Sequence, residues 1–200
     1  MFIELTDHLR CTADHEESFL VLLPVRMDGR RVVEGTLGCP RCGREIVIVD
    51  GVTDFGEGAA WPVGTALDAA AVATFVGLEG PGGYLGLFGP AAAVAERLPD
   101  LLPGIRMVLV NPPSGTPPTE MASLLRAGRS PLKSRSMRAV VVAGSAGTDP
   151  DWVDQAADAV LPGNRLVVEG PVRQRPDLDI LMEGAGVWVA RKAPSRPVGA

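Results

Sequence analysis

The apolar residues of this chain come in short runs separated by Gly, Pro and Asp, which is typical of strands joined by tight turns. In the first quarter, residues 19–26 predict a strand and residues 31–34 begin a returning strand, with a turn at residues 27–30 between them. Residues 46–49 form a third, β-branched run that closes on Asp50-Gly51. The pattern predicts a small β-ribbon at the start of the chain.

The pattern changes after residue 63, where longer Ala-rich stretches alternate with buried runs. Residues 65–78 predict a helix with Asp68 in its first turn, followed by a strand at residues 84–88. Residues 91–98 predict a second helix that ends at Pro99, and residues 105–110 a second strand. A strand, helix and strand in this order predict a parallel sheet, because parallel strands need a crossover.

The second half of the chain repeats this alternation less regularly. Its first segment, residues 111–137, is rich in Pro, Ser, Gly and Arg and predicts mostly loop, with a short helix at residues 120–126. Strands are predicted at residues 138–143 and 166–169. Between them lies a predicted helix at residues 150–160, which Thr148 or Asp149 caps and which ends at residues 162–164. Residues 179–182 and 187–191 predict a hairpin at the edge of the sheet.

These elements together predict an α/β protein with two parts. A zinc-ribbon-sized unit spans residues 1–55, and residues 56–64 form a Gly-rich linker. Residues 65–192 predict a Rossmann-like, mostly parallel sheet with helices on both faces, and residues 193–200 a loose tail.

Composition narrows the classes of function. The 200 residues are 46% hydrophobic but only 4% aromatic, so Val, Leu and Ala must fill the core. The formal net charge of −5 argues against wholesale nucleic-acid binding. No basic and apolar leader opens the sequence, and no apolar run reaches the ~20 residues of a membrane span. We therefore expect a cytoplasmic protein that makes no membrane contact.

The three cysteines all fall in the first quarter of the chain. Cys39 and Cys42 are separated by Pro-Arg, a spacing that lets both thiolates reach one ion from a single turn. Cys11 supplies a third thiolate, and His15 is the predicted fourth ligand. Asp14 is the second choice and His8 the third. Four protein ligands leave no position for water, so we predict a structural zinc ion.

The ribbon resembles the small zinc-ribbon activator subunits of tRNA, rRNA and release-factor methyltransferases. The resemblance covers about residues 2–55 and is carried by Leu9-Arg10-Cys11, by Leu37-Gly38-Cys39-Pro40-Arg41-Cys42-Gly43 and by the closing Asp50-Gly51 turn. Members of that family have two cysteine pairs, and the first pair is reduced here to Cys11. The resemblance implies that the ribbon pairs with a methyltransferase or another protein partner.

Residues 137–192 resemble the second half of class I S-adenosylmethionine-dependent methyltransferases. The resemblance rests on the order of a strand, Thr148-Asp149-Pro150, a helix, Leu161-Pro162-Gly163-Asn164 and a further strand. It implies a bound S-adenosylmethionine near Gly86, Gly89 and Asn111. The glycine-rich turn of that family is reduced here to Gly86-Leu87-Phe88-Gly89-Pro90, and Asn111 stands where the family has an acidic residue.

Two functions follow from these patterns. The first is a zinc-ribbon protein with a methyltransferase-like domain, either active or degenerate, and the alternative is a non-enzymatic zinc-binding adaptor. A third hypothesis, that the protein is an RNA-binding accessory, rests only on one basic loop. That loop contains no aromatic residue that could stack on a base, so a solvated surface is the simpler explanation. The basic residues of that loop are Arg126, Arg129, Lys133, Arg135 and Arg138.

Overall fold

The computed structural model describes residues 1–58, 60–62, 64–116 and 119–194. All described strands belong to one eleven-stranded sheet in the order β1-β2-β3-β4-β7-β6-β5-β8-β9-β11-β10. The strands are β1 (Val21–Asp28), β2 (Arg31–Gly38), β3 (Glu45–Val49), β4 (Val52–Asp54), β5 (Tyr84–Phe88), β6 (Arg106–Val110), β7 (Ala122–Arg126), β8 (Met137–Val142), β9 (Val160–Glu169), β10 (Leu178–Gly184) and β11 (Val187–Lys192).

The helices are short and lie on both faces of the sheet. They are α1 (Ala69–Val76), α2 (Leu98–Leu101), α3 (Ser145–Thr148) and α4 (Pro150–Ala159), with 3₁₀ helices at Ile3–His8 and Gly89–Val94. Asp68 accepts a hydrogen bond from Ala71 N–H and so caps α1, and Asp149 caps α4 in the same way. Asp149, and not Thr148, is therefore the cap of α4.

The ribbon is an antiparallel meander of β1 to β4. The predicted first hairpin is confirmed, with its turn at Gly29-Arg30, where Gly29 has the positive φ of 55° that a tight turn requires. The closing Asp50-Gly51 turn is also present, and both of its residues have positive φ. On the inner side of the meander Leu37, Ile46 and Ile48 are buried.

The strands β5 to β9 form the predicted Rossmann-like part, so the predicted fold class is confirmed. All neighbouring pairs in the order β7-β6-β5-β8-β9 are parallel. Counted along the chain, this is the doubly wound order 3-2-1-4-5. The antiparallel hairpin of β10 and β11 follows on β9, with β10 at the outer edge of the sheet as predicted.

The ribbon joins this sheet directly, because β4 pairs in parallel with β7. The predicted short helix at residues 120–126 is wrong, since Ala122–Arg126 is the strand β7 between β4 and β6. Two neighbouring strands supply its backbone partners, and Ser123 is fully buried. This tertiary pairing outweighs the helix preference of the Leu-Leu-Arg sequence.

Two further predictions of helix ends are wrong. Residues 91–98 do not form one α-helix: a 3₁₀ helix ends at Val94, and Pro99 lies in the first turn of α2, where proline is tolerated. Residues 162–164 do not separate helix from strand, because β9 begins at Val160 directly after α4. A register shift between Met137 and Ala139 of β8 accommodates this early start of β9.

The sheet has a buried core on each face. One core is formed with α1, α2 and the 3₁₀ helix Gly89–Val94, through residues such as Leu85 and Val141. The other is formed with α4 and with the N-terminal residues of the chain, among them Leu5, Leu9 and Phe55. Residues of the first 55 positions and the helix α4 thus pack on the same face of the sheet and share one core.

The predicted tail falls partly outside the described residues, which end at residue 194. Among the described residues no helix is both long and apolar enough to cross a membrane.

Candidate metal centre and the crevice of the parallel sheet

The turn that carries Cys39 and Cys42 follows the end of β2. Its backbone is closed by two hydrogen bonds, from Cys39 N–H to the Arg44 carbonyl and from Gly43 N–H to the Cys39 carbonyl, each 2.9 Å long. Gly43 has a φ of 72°, a conformation that glycine adopts without strain. The turn therefore fixes the backbone on both sides of Cys42 and returns the chain into β3.

The three cysteines and His15 converge at this turn. The Sγ atoms of Cys11 and Cys42 lie 3.7 Å apart, and Cys39 Sγ lies 3.5 Å from His15 Nε2. All four ligand atoms are within 4.8 Å of one another. A tetrahedral zinc ion, bound at about 2.3 Å to sulfur and about 2.0 Å to nitrogen, holds its ligand atoms about 3.5–3.8 Å apart. Three sulfur atoms and one nitrogen are a normal donor set for zinc, and the two separations of 3.5 and 3.7 Å fit the ion.

The imidazole of His15 is oriented by its other nitrogen. Nδ1 lies 2.7 Å from the Glu16 carbonyl oxygen, so Nδ1–H donates there and Nε2 keeps the lone pair that faces the thiolates. Asp14 does not belong to the cluster. His8 lies elsewhere, with its ring 4.9 Å from the ring of Tyr84. Of the three candidates for the fourth ligand, the geometry therefore favours His15.

The thiols of the cluster differ in acidity. Burial raises the pKa of the Cys11 thiol to about 11. Burial also acts on Cys39, but the N–H groups of Cys42 and Arg41 outweigh it and lower the pKa of that thiol to about 6. The turn by itself stabilises one thiolate, whereas a buried Cys11 thiolate needs a bound cation.

The second candidate site is the crevice at the carboxyl ends of the parallel strands. In doubly wound sheets ligands bind there, at the point where the strand order reverses, which in this chain lies between β5 and β8. Gly89 directly follows β5, and Asn111 directly follows β6. Gly86 lies in the middle of β5, where an added Cβ would meet the Val140 side chain at 3.3 Å.

Asn111 is engaged within the protein. It is 2% exposed and has a positive φ of 49°. Its Nδ2 donates to the Ala127 carbonyl at 2.6 Å, and its Oδ1 accepts from the Ala127 N–H at 2.9 Å. Asn111 thus ties the end of β6 to the end of β7.

A stretch of chain crosses this crevice, and we call it the crossing segment (described residues 56–58, 60–62 and 64–66). At its start Gly56 accepts a hydrogen bond from Gly128 N–H. In its middle the indole of Trp61 lies against Gly89. At its end the Glu169 carboxylate accepts from Ala66 N–H at 2.7 Å and from the Thr65 hydroxyl at 2.8 Å.

Sequence reasoning placed Trp61 in a linker and gave Glu169 no role. Nothing local indicates what the indole rests on, because Gly89 and Glu169 are distant in the chain.

The basic residues of the loop at 126–138 do not share one free surface. Arg138 donates to the carbonyls of Glu79, Gly80, Pro81 and Gly82, and Lys133 donates to the Asp7 carbonyl. Arg126, Arg129 and Arg135 are exposed.

Comparison with known proteins finds likeness only at the level of three-dimensional structure. No family model matches the chain, and no curated protein matches its sequence. Solved methyltransferase structures are among the chains that it resembles in shape.

One of these structures is a complex between the Haloferax volcanii Trm112 methyltransferase activator and a putative methyltransferase, with 18% identity, a TM-score of 0.41 and coverage of 51% of each chain. Another is the antibiotic-resistance methyltransferase Kmr, with 11% identity, a TM-score of 0.45 and coverage of 69% of this chain and 99% of that one. This protein spans about half the length of the first of them. At these values the comparisons establish no common activity.

Proposed function

We propose that Cys11, His15, Cys39 and Cys42 bind one structural zinc ion. The supporting observation is the convergence of the four ligand atoms within 4.8 Å of one another, with two of their separations, 3.5 and 3.7 Å, at the values of a tetrahedral site. The ion would join the segment before β1 to the turn after β2. No disulfide joins these two stretches of the described chain, because all three cysteines are free. Four protein ligands close the site to substrate, so the metal stabilises the ribbon and takes no part in a reaction.

We expect His15→Ala to weaken zinc binding by more than about 100-fold, because it removes a ligand atom and not merely an outer hydrogen bond. Asp14→Ala, one residue away and outside the cluster, is the matched control and should bind zinc like the wild type. Competition with a chromophoric chelator measures both affinities. A larger loss in Asp14→Ala than in His15→Ala would show that the carboxylate is the fourth ligand.

In the described conformation the predicted cofactor residues do not fit S-adenosylmethionine. Gly86 is inside a strand, the face of Gly89 is covered by Trp61, and the Asn111 amide is already paired. Asn111 also carries no charge with which to hold ribose hydroxyls as an acidic residue does. We therefore propose that the protein, in the conformation described, is a non-enzymatic zinc-binding adaptor. Its larger part is a methyltransferase-like sheet.

The outer side of the ribbon supports an adaptor role. Leu23 pairs with Thr36, which in turn pairs with Val47, so the three side chains point to the same side of the meander. Leu23 is 62% exposed and Val47 51% exposed, although both are apolar. A cluster of exposed apolar residues on one sheet face marks a surface for a protein partner.

Titration of the zinc-loaded protein with S-adenosylhomocysteine tests the absence of a working cofactor site. We expect no measurable heat of binding up to about 1 mM ligand, because the crossing segment occupies the crevice. The titration is compared with a methyltransferase of known affinity under the same conditions. A micromolar dissociation constant for the wild-type protein would refute the non-enzymatic proposal and would direct the search to a methyl acceptor.

A further inference from the structure

The crossing segment passes the carboxyl ends of the parallel strands one after another. Gly56 is bonded to Gly128 beyond β7, and Gly58 lies against Asn111 at the end of β6. Trp61 then lies against Gly89 at the end of β5, and the Gly64 carbonyl approaches Gly144 beyond β8. The segment thus follows the line on which a doubly wound sheet holds its ligand.

The contacts are too close for a loop that merely passes over the surface. A Cβ added at Gly58 would lie 2.2 Å from the Ala127 nitrogen and 2.8 Å from Asn111 Oδ1. A Cβ added at Gly89 would lie 2.5 Å from Cε3 of Trp61. Glycine is needed on both sides of the contact, in the segment and in the crevice beneath it.

The indole of Trp61 sits in a setting that suits a planar ring. Its edge-to-face partner is Trp152 of α4, with ring centroids 4.9 Å apart and an angle of 84°. Trp152 contacts Phe88 at the end of β5 in the same manner, at 5.8 Å. One face of the indole is against the Gly89 backbone, which offers no side chain. Backbone on one side and aromatic edges on another also accommodate a nucleobase.

Glu169 fastens the far end of the segment. One carboxylate oxygen accepts from Ala66 N–H, and the other accepts from both the Thr65 hydroxyl and the Gly144 N–H, the latter at 3.2 Å. Glu169 therefore connects the segment to the residues after β8 and to the end of β9. The Thr65 hydroxyl and the Ala66 N–H belong to the segment and would bond to water if the segment left, whereas the bond from Gly144 N–H stays within the sheet.

We propose that the crossing segment is an internal plug: Trp61 occupies the ligand crevice of its own sheet, and the crevice accepts a planar nucleoside-type ligand only when the plug is displaced. The plug is a proposal beyond the adaptor role. It shares with the adaptor proposal only the premise that the crevice is closed in the described conformation. The plug follows β4 directly, so its displacement would also alter the chain that leaves the ribbon.

The test uses the full zinc-loaded chain with S-adenosylhomocysteine as the probe. Trp61→Ala should bind the probe at least about tenfold more tightly than the wild type, because it removes the population cost of the closed state. Glu169→Gln should shift affinity in the same direction, since its amide cannot accept all three hydrogen bonds. Phe19→Ala, which removes an aromatic ring that is 58% exposed on the ribbon, is the control and should match the wild type.

The outcomes separate the two proposals. Equal, weak binding by the wild type, Trp61→Ala and Glu169→Gln would overturn the plug and leave the adaptor role standing. Micromolar binding by the wild type that neither variant changes would overturn both. If Trp61→Ala does not fold, the Glu169→Gln titration decides, since that variant keeps the aromatic contacts of the indole.

Discussion

Cys39→Ser should leave the purified protein without its zinc and should unfold the ribbon. Serine does not replace a thiolate ligand, and zinc binding by small structural sites contributes of the order of 10 kcal/mol. A loss of that size is comparable with the whole stability of an ordinary domain. Metal analysis should fall from about one zinc per chain to near zero, and amide hydrogen exchange should show lost protection in β1, β2 and β3.

Arg41→Ser is the matched control for this experiment. Arg41 lies between the two cysteines of the turn, and its ion pair with Glu16 is on the surface. Exposed pairs of this kind contribute little to stability, so the variant should keep both zinc and fold. A Cys39→Ser protein that is free of zinc yet fully protected from exchange would remove the basis for a structural metal site.

Phe55→Ala should lower the melting temperature of the whole protein by about 10 °C. The ring of Phe55 is 2% exposed in the core that the ribbon and the parallel sheet share, and truncation of such a ring costs about 3–5 kcal/mol. The backbone of the same residue bridges both parts, since its N–H donates to the Arg126 carbonyl and its carbonyl accepts from the Arg44 guanidinium. One transition, shifted as a unit, is the expected result in thermal unfolding.

The predicted division into residues 1–55 and 65–192 can be judged from the same scan. If the ribbon melts separately while the parallel sheet keeps its wild-type melting temperature, the two parts are independent units. Phe19→Ala serves as the reference, because an exposed ring on the ribbon should change stability by no more than about 0.5 kcal/mol.

The parts of the fold that could be predicted from the sequence are those with strong local patterns. The residues of β5 form a short run of large apolar and aromatic side chains around Gly86, bounded by Gly-Gly and Gly-Pro, and the structure has the strand at those residues. The Cys-Pro-Arg-Cys turn likewise predicts a ligand pair by spacing alone. His15 was preferred over Asp14 for its chemistry, and the structure brings the histidine, not the aspartate, to the cluster.

The sequence-based predictions are wrong or incomplete where residues distant in the chain determine the local structure. The sequence around Ser123 has good helix formers, and it becomes the strand β7 only because β4 and β6 flank it. The Gly-rich connection after Phe55 has the composition of a linker, and no local pattern shows that it lies across the crevice. Asn111 could be placed at the end of a strand, but its bonds to Ala127 depend on how β7 is positioned.

The parallel pairing of β4 with β7 also has a consequence for the order of events during synthesis. Val52 pairs with Leu124, so the ribbon can close around its metal long before the second edge of β4 gains its partner β7. At ribosomal rates of about 5–20 residues per second, the intervening stretch of about 70 residues takes roughly 4–14 seconds to make. During that interval the nascent chain presents an unpaired strand edge, the kind of surface that chaperones cover and that neighbouring chains join.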